Sequence, residues 1–176
     1  LATDALRVIP ATIHIPLKDV ASTLTADNLI QIGVTVHASL RNYFGIENPK
    51  LAYAGLNPHA GEDGTIGLEE GTHIIPALRR LKEEGIRVTG PHPADTLFHS
   101  DARDKYDVAI TMYHDQALIP LKTLDFYGGV NVTLGLPIIR TSPDHGTALE
   151  RAKEGTARID SLLAAIRMAQ DMVNRA

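Results

Sequence analysis

Residues 107–116 read DVAITMYHDQ, an apolar run that ends in three polar side chains. The apolar part predicts a buried strand over residues 107–113, and the residues after it predict a helix over 115–124, strained or shortened by Pro120. A strand that leads directly into a helix is typical of layered α/β proteins, whose ligands bind at the carboxyl ends of the strands. The stretch therefore predicts an α/β fold with a binding site beside His114.

The rest of the chain repeats this alternation. Runs rich in β-branched and apolar residues predict strands over 6–17, 51–56, 86–89, 130–134 and 138–141. Apolar residues at helical spacing predict helices over 25–43, 68–84, 94–99, 146–153 and 159–175. Pro10 makes the first strand an edge strand or a bent one, Thr25 is the predicted N-cap of the first helix, and Gly85 ends the second. In that second helix, Ile74 and Ile75 both belong to the predicted buried face.

The composition excludes several classes of protein. The chain has 176 residues, 44% apolar and 22% charged, which is typical of one globular domain or two small lobes and not of disorder. With 17 Lys and Arg against 21 Asp and Glu, the net charge of -4 leaves no basic excess for a nucleic acid, so we expect no such partner. No apolar run reaches the ~20 residues that cross a bilayer, so we expect no membrane association.

The chain contains no cysteine, which excludes disulfides and thiolate chemistry and fits a reducing cytoplasm, where we expect the protein to act. It begins at Leu1 with neither an initiator methionine nor the pattern of a signal peptide. We therefore expect that a further segment precedes it in the parent protein.

Three of the eight histidines lie within or directly after predicted strands: His14, His59 and His114. A parallel sheet can bring such positions together, and three imidazoles with one open position make a catalytic site for a divalent metal. Acidic residues such as Asp115 and Asp95 can orient the imidazoles. The alternative is that each histidine is an ordinary loop or helix-cap residue, and the spacing alone does not separate the two interpretations.

A basic and polar group comes next along the chain: Lys122, Asn131 and Arg140. Arginine and lysine bind phosphate or carboxylate, and asparagine binds hydroxyl groups. The alternative is three unrelated surface residues. Asn131 and Arg140, however, interrupt apolar predicted strands, where a buried polar side chain would need a partner.

The loop over residues 141–148 combines small residues with a predicted helix start, which permits close approach of a nucleotide. An ordinary capped helix start is the alternative. The chain has neither a G-x-G-x-x-G fingerprint nor a Walker A motif, so a conventional dinucleotide or P-loop site is disfavoured.

Six motifs occur in order along the chain: LNPHAGE at 56–62, PADTLF at 93–98, MYHDQ at 112–116, TLGLP at 133–137, IRTS at 139–142 and DHGTA at 144–148. Together they closely resemble the 4-hydroxythreonine-4-phosphate dehydrogenase family of pyridoxine biosynthesis, over nearly the whole chain. The chain resembles the C-terminal half of that family, whose members are roughly twice this length, as expected of a two-lobed enzyme.

The resemblance implies an isocitrate/isopropylmalate dehydrogenase-like fold, a three-layer α/β/α architecture with one lobe plus dimer-forming elements. Residues 1–176 would be the metal-, substrate- and NAD-binding portion of a two-lobed dehydrogenase that lacks its N-terminal portion. The implied reaction is the NAD- or NADP-dependent oxidation of 4-phosphohydroxy-L-threonine, followed by decarboxylation to 3-amino-2-oxopropyl phosphate, in pyridoxal phosphate biosynthesis. A divalent metal (zinc, magnesium or cobalt) would support it, at a site shared between the subunits of a homodimer.

The resemblance also implies roles for individual residues, carried over motif by motif. It implies metal ligands at His14, His59 and His114, and substrate-binding residues at Lys122, Asn131 and Arg140. It implies cofactor-binding residues at Asp144, His145, Gly146, Thr147 and Ala148. Asp95 and Asp115 are the predicted catalytic residues, as groups that either orient the metal ligands or handle protons, and the sequence does not assign one role to either.

Two departures bear on this interpretation. Ala117 stands where the family often has glycine, and LERAKEG at 149–155 differs from the usual sequence after the DHGTA motif. A His-Thr pair of the family's N-terminal half, which binds substrate, lies outside this chain. Three alternatives therefore remain. The first is a related dehydrogenase of 4-phospho-D-threonate, 4-phospho-erythronate or an aromatic cis-diol carboxylate. The others are an inactive dimerising fragment and an unrelated α/β domain with scattered histidines.

Overall fold

The computed structural model of the protein describes residues 1–146 and 149–176. Its strands are β1 (Val8–Pro10), β2 (Lys50–Ala54), β3 (Arg87–His92), β4 (Val108–Thr111), β5 (Val130–Thr133) and β6 (Arg140–Pro143). Its helices are α1 (Val20–Thr23), α2 (Ala26–Phe44), α3 (Ile75–Glu83), α4 (Ser100–Arg103), α5 (His114–Leu124), α6 (Leu149–Glu154) and α7 (Asp160–Arg175). None of the helices in these described ranges has the length and apolarity needed to cross a membrane.

Four strands form a parallel sheet in the order β1-β4-β2-β3. The strand from the quoted stretch, β4, lies inside the sheet, and all four of its residues are buried. The predicted buried strand is thus confirmed, although it ends at Thr111, two residues before Tyr113. Strand β1 lies at an edge, as Pro10 predicted, because proline has no N–H to donate to a second neighbour.

Apolar side chains cover both faces of this sheet. On one face, Leu29 of α2 and Leu81 of α3 pack with Tyr53 and Ile110 of the strands. On the other face, Leu121 of α5 belongs to a second cluster that contains Val8 of β1. Helices on both faces of a mostly parallel sheet make three layers, so the predicted α/β/α architecture is confirmed.

Strands β5 and β6 form a separate antiparallel pair. Only residues 134–139 connect them, whereas parallel strands need a connection of about a dozen residues or more. Both strands were predicted, the second with bounds two residues too early, but they lie outside the parallel sheet. Helix α7 packs on β6, where Thr141 Oγ1 donates to the carbonyl of Ala165 at 2.9 Å.

Two long helices were predicted near the start of the chain, and only the first is present as predicted. Helix α2 has the predicted N-cap, since Thr25 Oγ1 accepts the N–H of Asn28 at 3.2 Å. The helix predicted over 68–84 is instead a short π-helix followed by α3. Ile74 is fully buried, whereas Ile75 is 41% exposed, so its predicted burial is wrong. The buried residues of α3 are Ala77, Leu78 and Leu81, and at about 100° per residue Ile74 lies over this buried face whereas Ile75 lies to one side of it.

Candidate active site

His14 and His114 come together at the carboxyl ends of neighbouring strands. Their ring centroids are 5.7 Å apart. The parallel pairing of β1 with β4 continues past both strands, because the N–H and Oγ1 of Thr12 both donate to the carbonyl of Met112, at 3.2 and 2.8 Å. This alignment places the loop that carries His14 beside the start of α5, where His114 lies.

The His114 ring is oriented by the next residue. Its Nδ1 lies 2.7 Å from Asp115 Oδ1. Because the carboxylate only accepts, Nδ1 carries the proton and donates it, which leaves the lone pair of Nε2 for another ligand. Metal-bound histidines are held in this way by a carboxylate. The side chain of Asp115 is 70% exposed, so the pair contributes orientation far more than stability.

The two rings fit one metal ion. With metal–nitrogen bonds of about 2.0–2.1 Å and a tetrahedral angle, two imidazole centroids lie roughly 5 Å apart. The observed 5.7 Å is close to that separation. Within residues 1–146 and 149–176, however, no three His, Cys, Asp or Glu side chains gather as a metal site. In this part of the chain the pair therefore lacks a third ligand of these four residue types.

His59 lies in a different depression, together with Glu62, Asp63 and Glu70. After β2 the chain turns towards β3, because the N–H of Gly55 donates to the carbonyl of His92 at 2.8 Å. Strand β3 lies on the side of β2 opposite to β4. The predicted three-histidine cluster is therefore not assembled within one chain, and a site that includes His59 stays a prediction for a second copy.

The histidine pair opens into a cleft between the parallel sheet and the β5-β6 pair. One part, about 400 Å³, is lined by His14, His114, Asn131 and Asp144 among others. An adjoining part, about 750 Å³, is lined by His114, Asp115, Lys122, Asn131, Asp144, His145 and Gly146 among others. Most of the predicted site residues thus border one continuous cleft. Thr147 and Ala148 lie outside the described residues.

Lys122 and Asp144 form an ion pair across this cleft. Lys122 Nζ lies 3.2 Å from Asp144 Oδ2 and donates to the Asp144 carbonyl at 3.3 Å. The N–H of Asp144 donates to Ser161 Oγ on α7 at 3.1 Å, which fixes the loop. An ammonium group has three N–H donors, so one remains for a ligand in the cleft. The loop predicted for the cofactor therefore holds the lysine predicted for the substrate.

Arg140 and Asp95 do not line the cleft. Arg140 Nη1 donates to Thr133 Oγ1 at 2.8 Å, and Thr133 borders the cleft, so the guanidinium lies at its rim. Asp95 lines a neighbouring groove that shares Asp115 with the cleft. Arg140 and Asn131 are both exposed, so the idea that they need partners as buried polar groups is wrong. Alternate residues of a two-stranded sheet face outwards and take polar side chains without cost.

Comparisons with known proteins give the family of the chain. The family model described as "Pyridoxal phosphate biosynthetic protein PdxA" matches residues 1–169. The chain belongs to this family. It is 60% identical over 172 residues to 4-hydroxythreonine-4-phosphate dehydrogenase of Ruegeria sp. (strain TM1040), covering 98% of this chain and 53% of that protein. The chain spans about half the length of the curated relatives it matches.

Solved structures of the family have the same fold. A 4-hydroxythreonine-4-phosphate dehydrogenase from Burkholderia phymatum superposes with a TM-score of 0.85 at 43% identity, covering 98% of this chain and 52% of that one. A terephthalate 1,2-cis-dihydrodiol dehydrogenase from Burkholderia xenovorans LB400 gives a TM-score of 0.77 at 30% identity, covering 95% and 53%. The predicted family and the α/β dehydrogenase-like fold are thus confirmed.

Sequence reasoning gave no role to two residues that shape the site. Gln116 Oε1 accepts the N–H of Met112 and its Nε2 donates to the Gly55 carbonyl, both at 2.8 Å, so it joins the ends of β4 and β2. Glu70 is buried below the His59 loop. Gln116 belongs to the MYHDQ motif, which was the available signal. No comparable signal marked Glu70.

Proposed function

We propose that this chain is the metal- and substrate-binding portion of a dehydrogenase that oxidises 4-phosphohydroxy-L-threonine in pyridoxal phosphate biosynthesis. One observation carries the proposal: the His14–His114 pair and the Lys122 ammonium border the same cleft. A metal next to an anion-binding group suits a phosphorylated hydroxy acid. The names of the relatives support the same substrate.

His14 and His114 would hold a divalent zinc, magnesium or cobalt ion, with His59 of a second copy in a homodimer as the third ligand. When bound, the ion supplies a Lewis acid that lowers the pKa of the substrate hydroxyl group. Asp115 keeps His114 in the tautomer whose Nε2 is free, through the 2.7 Å contact to Nδ1. Asp95, in the neighbouring groove that Asp115 also lines, would exchange protons with the site.

The substrate phosphate would take the free N–H of Lys122, and the exposed amide of Asn131 would bind a hydroxyl or phosphate oxygen in the same cleft. Arg140 at the rim adds a second positive charge for the anion.

NAD or NADP, when bound near residues 144–148, supplies the hydride acceptor. The hydroxyl proton passes to a base and the hydride leaves carbon, which gives a β-keto acid. That acid then loses carbon dioxide and takes up one proton.

A second candidate is a dehydrogenase of an aromatic cis-diol carboxylate. The resemblance to the terephthalate cis-dihydrodiol dehydrogenase favours it. A substrate carboxylate would bind to the same positively charged side chains as a substrate phosphate. The two candidates therefore differ in whether removal of the phosphate group abolishes binding.

Calorimetric titration of the chain with 4-phosphohydroxy-L-threonine, in the presence of Zn²⁺, tests the proposal. We expect Lys122→Met to weaken binding by about tenfold or more, because a hydrogen bond to a charged group is lost. Lys105→Met is the matched control, since this exposed lysine lies outside the cleft. Equal binding by both variants, or equal affinity for unphosphorylated 4-hydroxythreonine, would contradict a phosphate site.

Turnover is tested by adding the remaining portion of the family's chain and NAD and following nicotinamide reduction by absorbance. Reduction of NAD is the expected result. Substrate binding without any reduction would instead favour a non-catalytic module.

A further inference from the structure

The loop after β2 has an unusual backbone. Five consecutive residues, His59–Asp63, have φ values of 52°, 53°, 80°, 44° and 55°, all in the left-handed region. Only Gly61 among them lacks a Cβ, and each other residue costs about 1–2 kcal/mol in this conformation. Such a turn persists only where its surroundings impose it, and strained backbone of this kind is concentrated at functional sites.

One buried carboxylate holds the entrance to the turn. Glu70 is 3% exposed, and its Oε1 accepts the backbone N–H groups of Leu56 and Asn57, both at 2.8 Å. Its Oε2 accepts from Asn57 Nδ2 at 3.0 Å. A buried charge is expensive unless hydrogen bonds compensate it, and here three N–H groups do so.

The turn wraps closely around this carboxylate. A Cβ at Gly61 would lie 2.5 Å from Glu70 Oε2, so only glycine fits there. His59, at the start of the turn, is exposed and available to a second molecule. The buried acid and the exposed imidazole thus lie at the inner and outer sides of one rigid turn.

We propose that Glu70 is a positioning residue for His59: it imposes the left-handed turn that presents the imidazole as a ligand to a metal held by another copy of the chain. The inference rests on the proposed metal site. Glu70 would set the orientation of the His59 ligand without contacting the metal itself.

The neighbouring residue Glu69 provides a matched comparison. It accepts a hydrogen bond from the side chain of Asn57, at 2.8 Å, and this hydrogen bond is the main cause that lowers the pKa of the Glu69 carboxyl. It accepts neither of the backbone N–H groups that Glu70 holds. Glu69 therefore has the same charge and a shared partner, without the contact that orients the turn.

The test is a Co²⁺ titration followed by the visible spectrum of the bound ion. We expect Glu70→Leu to weaken Co²⁺ binding by about tenfold to a hundredfold and to change the spectrum, as for other residues that orient metal ligands. Glu70→Gln keeps an oxygen for both backbone N–H groups and should restore most of the affinity. Glu69→Leu should bind Co²⁺ like the wild type.

A double-mutant cycle separates positioning from general stability. If Glu70 acts through His59, Glu70→Leu has no further effect on Co²⁺ binding in a His59→Ala background. The proposal is overturned if Glu70→Leu binds Co²⁺ like the wild type, or if it weakens binding equally without His59. If the leucine variant does not fold, Glu70→Asp withdraws the carboxylate by one methylene and serves in its place.

A second readout needs no metal. In the ¹H–¹³C spectrum of the histidine rings, Glu70→Leu should shift and broaden the His59 signals, while the signals of His99, which does not line the His59 depression, stay unchanged as an internal reference. Unchanged His59 signals would overturn the proposal. If the wild-type chain takes up no Co²⁺, the proposed metal function fails, and this spectrum alone decides the role of Glu70.

Discussion

The loops that carry His14 and His59 follow β1 and β2, and both of these strands pair with β4. Only the loop after β1 brings its histidine next to His114. The loop that carries His14 continues the strand alignment, since Thr12 is bound to Met112. The loop that carries His59 is tied to the end of β3 and enters a left-handed turn. Strand order brings loops to the same edge of a sheet, but the first hydrogen bonds after each strand decide where their side chains go.

The largest expected effect concerns the assembled pair. His114→Ala should abolish measurable Co²⁺ binding, because a direct ligand matters more than the orienting groups, which cost about tenfold to a hundredfold. His99→Ala is the control. His99 is exposed, and although it is the N-cap residue of α4, its side chain makes no capping hydrogen bond. Equilibrium dialysis measures both. Retained binding by His114→Ala would remove the pair from the metal site.

Next comes Asp115, which orients the ring of His114. Asp115→Ala should weaken Co²⁺ binding by about tenfold, because Nδ1 loses its partner and the ring loses its fixed tautomer. Asp171→Ala removes another exposed carboxylate, on α7, and should leave binding unchanged. Dialysis of the two variants side by side tests this. Equal affinities would show that Asp115 has no orienting role.

Gln116 connects the two regions, since it joins Met112 after β4 to Gly55 after β2. Gln116→Leu leaves a buried N–H and a buried carbonyl without partners and should lower the free energy of unfolding by about 1–3 kcal/mol. Gln31→Leu, on the exposed side of α2, should change it by less than about 0.5 kcal/mol. Urea unfolding followed by circular dichroism distinguishes them. A smaller loss for Gln116→Leu than for Gln31→Leu would contradict the connection.

The smallest effect concerns the ion pair in the cleft. Asp144→Asn removes a negative charge 3.2 Å from Lys122 Nζ and should strengthen binding of inorganic phosphate about fivefold, the equivalent of ~1 kcal/mol. In a Lys122→Met background the same change should have a smaller effect, because only the direct repulsion between the carboxylate and the phosphate is removed. Calorimetry measures both affinities. Weaker phosphate binding by Asp144→Asn would mean that the carboxylate orients the lysine more than it neutralises it.

The fold was largely predictable because local signals agree with the packing. The cap at Thr25, the edge proline Pro10 and the apolar run of β4 each have one physical meaning, and the structure has each in that form. The antiparallel pairing of β5 with β6 was missed, since strand patterns alone do not give direction. The short connection between β5 and β6 does indicate the direction, because it is too short for the crossover that parallel strands need.

The site was predictable only in part. Strand ends indicated that His14, His59 and His114 would come together; His14 and His114 do, and His59 lies in a different depression. The pairing of Lys122 with Asp144 joins residues 22 positions apart on different elements, and no periodic pattern encodes it. The left-handed turn at His59 depends on Glu70, a tertiary contact that ordinary turn preferences do not reveal.

The central claim is that His59 completes, from a second chain, the pair formed by His14 and His114. Mixing two variants tests it most directly: His59→Ala, and the double variant His14→Ala/His114→Ala. The double variant should bind no Co²⁺, and His59→Ala, which keeps the His14–His114 pair, should bind it far more weakly than the wild type. After unfolding and refolding together, random pairing into twofold dimers should restore about a quarter of the wild-type Co²⁺ capacity, because each mixed dimer contains one intact site. A mixture that stays as inactive towards Co²⁺ as its components would contradict the account.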